Sequence, residues 1–130
     1  MRYRAARLAV VSLAAFGFAA ATASASSADA RAAKCPKGHF CLFAGPGGTG
    51  KVLLDEDAHI TKGGFQLREL DDIEPPIFPR SAFDPLPDDF GCIVRLNDQP
   101  NFQGDEQETD SHGLHELDGR RVASLTSDCG

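Results

Sequence analysis

The side chains that could do chemistry are few, and their spacing favours binding over catalysis. His112-Gly113-Leu114-His115-Glu116 sets two imidazoles three residues apart, which is the start of a zinc site. Zinc needs a third and a fourth ligand held in place, and Gly113 works against a rigid helix, so two solvated loop histidines are the better reading. That stretch is still the most pH-sensitive in the chain, because imidazole titrates near about pH 6.5. His39, between two close cysteines, and His59, after an acidic run, have no partner visible in the sequence. Asp88-Asp89 could act as an acid/base pair only if burial raised one pKa, and they stand in a Pro-rich polar segment. The glycine run over 45–50 lacks the Lys-Ser or Lys-Thr ending of a phosphate-cradling loop and reads as a hairpin turn. No Gly-x-Ser-x-Gly elbow and no His-Glu-x-x-His motif occurs. The chain is therefore read as a non-enzyme with no catalytic residue, no metal site and no cofactor.

Cysteine gives a firmer reading. Cys35, Cys41, Cys92 and Cys129 are four in number, with no Cys-x-x-Cys spacing of the kind a metal or redox site uses. Two disulfides are expected, with three connectivities open. Pro36 and Gly38 can turn the short Cys35–Cys41 loop, which favours closing it locally and leaves Cys92 to pair with Cys129. Chain entropy assigns the first bridge about 2.4 kcal/mol and the second about 3.9 kcal/mol before strain.

The compartment that permits disulfides is written at the start of the chain. Arg2, Arg4 and Arg7 precede an apolar run from Leu8 to Ala21, and Ala-x-Ala steps follow. Residues 1–30 are read as a secretory signal peptide cleaved near Ala25 to Ala30, too short in its apolar part to span a bilayer stably. The whole chain has 130 residues and a formal charge of −6. Without residues 1–30 it has 100 residues, with 10 basic against 18 acidic side chains, or −8. An acidic chain with no basic stripe is a poor match for a phosphate backbone, so no nucleic-acid partner is expected. No later segment has the roughly 18 apolar residues of a span, so no membrane partner is expected once the signal is gone. Residues 31–130 are read as one secreted domain and, by default, a monomer.

The elements that position these residues must be short. Eight prolines and frequent glycines leave little room for helices. Apolar clusters at Phe40–Phe43, Val52–Leu54, Phe65 with Leu67, Ile77 with Phe78, Cys92–Leu96, Leu114 with Leu117, and Val122–Leu125 recur between turn-forming residues. They predict an all-β sandwich of antiparallel strands. Leu67 and Leu70 allow at most one short helix or turn, and the Pro-rich stretch 70–89 reads as a long ordered connection or an edge. A weak internal echo is present. Cys41-Leu42-Phe43 and Cys92-Ile93-Val94 each lead through turn residues to Gly, and each copy has a later serine, Ser81 and Ser124. The echo suggests two Greek-key units packed as one sandwich.

Cys35-Pro-Lys-Gly-His-Phe-Cys-Leu-Phe43 and the later Asn101-Phe102-Gln103-Gly104 resemble the exported actinobacterial peptidase-inhibitor family of βγ-crystallin-like fold, whose founding type inhibits thermolysin-like metalloproteinases. The resemblance spans 34–130. It implies a βγ-crystallin-like Greek-key sandwich and a braced loop that enters a protease cleft and resists cleavage. The Phe102-x-Gly104 element is similar to the crystallin hairpin signature, in which Gly takes a conformation a Cβ would disfavour. The first copy has Gly48-Thr49-Gly50 where the aromatic would stand. The matching inhibitory bond is Cys92–Ile93. The family brackets that bond with another cysteine a few residues on, whereas here the next is Cys129. The same two residues also read as the start of a core strand, and that reading weighs more.

Crystallin-like domains often bind calcium, but the corresponding positions here, Gly119 to Ser124 and Pro76 to Ser81, carry Arg120, Arg121 and Arg80 where carboxylates belong. Asp118 and the pairs Asn97/Asp98 and Asp105/Glu106 read as solvated turn acids. The expected function is that of a secreted proteinase inhibitor whose partner is an extracellular protease. The alternatives are a structural or interaction module at the cell envelope or against microbes, and a calcium-responsive module.

Overall fold

The computed structural model describes residues 34–62 and 64–129. The expected signal peptide lies outside the described residues. Nine strands follow in order: β1 His39–Phe43, β2 Val52–Asp57, β3 His59–Thr61, β4 Gly64–Gln66, β5 Ser81–Asp84, β6 Cys92–Gln99, β7 Gln103–Thr109, β8 Gly113–Glu116 and β9 Ser124–Cys129. Single 3-10 turns at Pro46–Gly48 and Asp88–Phe90 are the helical segments among the described residues.

The strands form a four-stranded sheet ordered β2-β1-β5-β8, a three-stranded sheet ordered β7-β6-β9, and the separate hairpin β3-β4. All pairings are antiparallel. Each half of the chain lends a piece to the other's sheet. β8, from the second half, lies beside β5 of the first, while Leu70, from the first half, exchanges two backbone hydrogen bonds with Leu125 of β9 at 2.9 and 2.8 Å. The crossing-over means that the two Greek keys share the main core.

The core lies between the sheets. Phe40, Leu42 and Ala82 from the first meet Val94, Leu96 and Leu125 from the second, with Leu67, Leu86 and Val122 filling in. In β6 the side chains of Cys92, Val94 and Leu96 are buried while Ile93 and Arg95 are half-buried, the period of two that a one-sided sheet imposes. β1 breaks that period because both of its faces are covered. Cys41 and Phe43 turn away from the main core into a second cluster with Cys35, Val52 and Phe83.

Both expected disulfides are present, Cys35–Cys41 and Cys92–Cys129. The repeat also takes physical form. In the first unit the Ser81 hydroxyl accepts from the Gly48 N–H at 2.8 Å and donates to the Gly45 carbonyl at 2.6 Å. In the second, the Ser124 hydroxyl accepts from the Phe102 N–H at 3.0 Å and donates to the Gln99 carbonyl at 2.6 Å. A fully buried serine thus pins the folded hairpin of each unit.

Some elements differ from expectation. Leu67 and Leu70 form no helix. Leu67 is buried in the core and Leu70 makes the bridge to Leu125. The stretch read as a connection over 70–89 contains β5, an inner strand of the first sheet, whose small and polar residues Ser81, Ala82 and Asp84 hide it from a search for apolar runs. β7 is almost wholly polar because it is an edge strand with one face in water.

Candidate functional site

The bond expected to be inhibitory, Cys92–Ile93, opens β6. Cys92 is 4% exposed and stands opposite its disulfide partner Cys129, and Ile93 is half-buried opposite Asp128. Pairing with β7 begins one residue later, at Val94 opposite Thr109, so the β7 side of Cys92 and Ile93 has no ladder partner. The bond therefore lies in a strand, with no protruding loop around it.

The approach to β6 is held from inside. The Asp84 carboxylate is fully buried, accepting from the Thr109 hydroxyl at 2.7 Å and from the Leu86 N–H at 2.9 Å. Burial pushes its pKa above the usual carboxylate value, and those two hydrogen bonds offset part of the shift. In the 3-10 turn beyond, the exposed Asp88 carboxylate accepts from the His112 N–H at 2.6 Å, tying the start of β8 to the entrance of β6. Gly91 closes that turn in the left-handed region, with φ of 57°.

The histidines are structural side chains. The His112 ring meets Phe83 edge-on at 5.8 Å, and His115 Nε2–H donates to the Ser111 carbonyl at 2.7 Å. His39 and His59, without a visible partner in the sequence, are paired in the fold. His39 Nδ1 meets Asp55 Oδ1 at 2.5 Å across β1 and β2, and His59 Nδ1 stands 3.4 Å from Asp57. Among the described residues no three His, Cys, Asp or Glu side chains converge as a metal site.

Two of the turn acids, Asp98 and Asp118, are engaged by the protein itself. Arg120 binds the Asp118 carboxylate through its guanidinium and its N–H, and the side-chain hydrogen bond does most to hold that carboxyl below its ordinary pKa. Asp98 Oδ1 accepts from the Asp105 N–H at 2.9 Å. A groove of about 730 Å3 runs between β2, the stretch from Phe65 to Glu69 and the end of β9. Arg68 bonds Glu56 through two nitrogens at its wall. Two large apolar side chains among the described residues stand on the surface, Ile60 on β3 and Phe78 in the connection to β5. Sequence reading counted Phe78 with Ile77 as part of a strand, since exposure leaves no mark on residue type.

The model of peptidase inhibitor family I36 matches residues 28–66, a stretch that takes in the Cys35–Cys41 loop, β1, β2 and the β3-β4 hairpin. No curated protein sequence matches the chain. One solved structure, described as "IPSE alpha-1, an IgE-binding crystallin", aligns over 75% of this chain and 97% of its own with a TM-score of 0.52 at 14% identity. A crystal structure of IPSE/alpha-1 from Schistosoma mansoni eggs aligns over 70% of this chain and 84% of its own with a TM-score of 0.49 at 15% identity. Over residues 28–66 the chain is similar to a family of peptidase inhibitors, and it is folded as a βγ-crystallin-like pair of Greek keys.

Proposed function

We propose that the protein is a secreted inhibitor of extracellular proteases, thermolysin-like metalloproteinases foremost, which acts as a monomer by seating a braced surface segment in the enzyme's cleft. The observation that carries this reading is the family match over residues 28–66. The physical design supports it. Two disulfides and two buried serine braces fix the strands and hairpins in advance, so little conformational freedom is lost on docking. Export follows from the signal-like residues 1–30, and disulfides suit the extracellular compartment.

For Cys92–Ile93 we favour the role of a core-strand anchor over that of the inhibitory bond. A protease cleft takes up an extended chain with its side chains free. Here Cys92 is buried, bonded to Cys129 and paired with β9, and the strand would have to peel away to be read. Ile93→Ala is expected to leave inhibition within about twofold of wild type. The reading as a whole is tested by titrating purified residues 31–130 against thermolysin, subtilisin and trypsin. Slowing of at least one enzyme at stoichiometric or lower-micromolar inhibitor supports it, and failure to slow any of them ends it.

A further inference from the structure

If the Cys92–Ile93 bond is locked in a strand, another segment must meet the protease, and the Pro-rich connection before β5 has the required build. Phe78 is 59% exposed. A lone exposed apolar residue is ordinary and by itself carries no meaning. Phe78 differs in how its backbone is held. Ile73 N–H donates to the Ala123 carbonyl at 2.7 Å, and Ile77 exchanges two hydrogen bonds with Val122 at 3.0 and 2.7 Å. On the far side, Arg80 N–H donates to the Phe43 carbonyl and Arg80 C=O accepts from Leu117 N–H, both at 2.9 Å.

Side chains sort themselves along this segment. Ile77 packs on the core, Phe78 stands in solvent and Pro79 is fully buried. An aromatic ring is thus held out from a stretch anchored immediately before and after it. Pro75, Pro76 and Pro79 remove further backbone freedom. The Phe78 N–H and C=O have no backbone partner among the described residues, which leaves them for another chain's main chain. Ile60, the other exposed large apolar side chain among the described residues, sits instead on the small β3-β4 hairpin, where every residue of β3 is exposed.

We propose that Phe78 is the side chain this protein inserts into the apolar specificity pocket of its target protease, the ring alone entering while Ile77, Pro79 and Arg80 stay bound to the fold. The proposal rests on the inhibitor reading and names its contact. Large aromatic side chains are common interface anchors, and a segment whose backbone is ordered before binding loses little on docking. The partner it fits is a protease whose pocket takes a large apolar side chain, of which thermolysin is one. A trypsin-like pocket, which needs a cation, does not fit.

The test measures inhibition constants for residues 31–130 against thermolysin, subtilisin and trypsin. Phe78→Ala is expected to raise the constant for the enzyme inhibited by roughly 30-fold or more, as loss of a hot-spot aromatic does. Phe78→Leu should recover most of the loss, and Ile60→Ala should stay within about twofold of wild type. Phe78→Arg should lose the apolar-pocket enzyme and gain trypsin. Because Phe78 is mostly exposed, the Ala variant is expected to keep the wild-type thermal midpoint, which separates lost contact from lost fold. If wild type inhibits and Phe78→Ala inhibits equally well, the proposed contact is wrong while the inhibitor reading stands. If wild type slows no protease, both fall.

Discussion

Asp84 shows how a single side chain can tune this domain. Its carboxylate is fully buried between β5 and β7, with Thr109 and Leu86 as hydrogen-bond donors, and burial raises its pKa. The folded state therefore holds the proton more tightly than the unfolded chain, whose Asp titrates near about 3.9. The contribution to stability is most favourable below that value and declines as pH rises through the folded pKa. Asp84→Asn should remove this slope while keeping an acceptor for the Leu86 N–H, with the amide nitrogen donating to Thr109 Oγ1 where the carboxylate accepts. Urea unfolding from pH 3 upward is expected to show wild type losing stability relative to the variant as pH rises, and equal slopes would contradict the assignment. Ser81 and Ser124 form a second residue-level test. Replacing either with Ala strips a buried hairpin N–H and carbonyl of their shared partner, at a cost of about 1–3 kcal/mol. Similar losses in thermal or urea unfolding for the two variants would establish that the braces are equivalent. The serines were visible in the sequence as an echo, but the bonds they make were not, because their hairpin partners are backbone atoms that leave no trace in residue types.

At the level of elements, the hairpin between β6 and β7 depends on Gly104, with φ of 85°. A Cβ there would overlap the Asp98 carboxylate, whose oxygen is already held by the Asp105 N–H. Gly104→Ala is expected to cost about 1–2 kcal/mol from left-handed backbone alone, with the steric overlap in addition. The two disulfides should differ in the same kind of assay. Replacing both Cys92 and Cys129 with Ala should lower stability more than replacing Cys35 and Cys41, about 3.9 against about 2.4 kcal/mol by loop length. Legibility of the elements followed from how their residues are buried. β1, β2 and β6 carry apolar clusters and were readable, whereas the cluster read at Val122–Leu125 overlaps β9 only at Ser124 and Leu125. β5 and β7 were not readable, one because its buried residues are small or polar and the other because it is an edge. β8 was readable only through Leu114, since Leu117 lies beyond it and His112–Glu116 read as a loop, and its place beside β5 was not readable, since the exchange of strands between Greek keys is set by packing between the sheets.

Taken as a whole, the molecule is an acidic, disulfide-tied pair of interlocked Greek keys in which the turn acids Asp98 and Asp118 already have internal partners. Calcium has little to gain from Asp118, which Arg120 occupies, or from Asp98, which holds the Asp105 N–H. Adding millimolar calcium should leave the thermal midpoint unchanged, since only a ligand that binds the folded state raises it. The family match over residues 28–66 is what makes protease inhibition the function proposed for this scaffold, and the stiffness that the disulfides and serine braces supply suits that proposal. The measurement that bears most directly on that account is inhibition of thermolysin by purified residues 31–130 under active-site titration. Progressive loss of proteolysis that levels off near one inhibitor per enzyme, with the inhibitor recovered intact, is the predicted result. Undiminished proteolysis in inhibitor excess, repeated with subtilisin and trypsin, would contradict it.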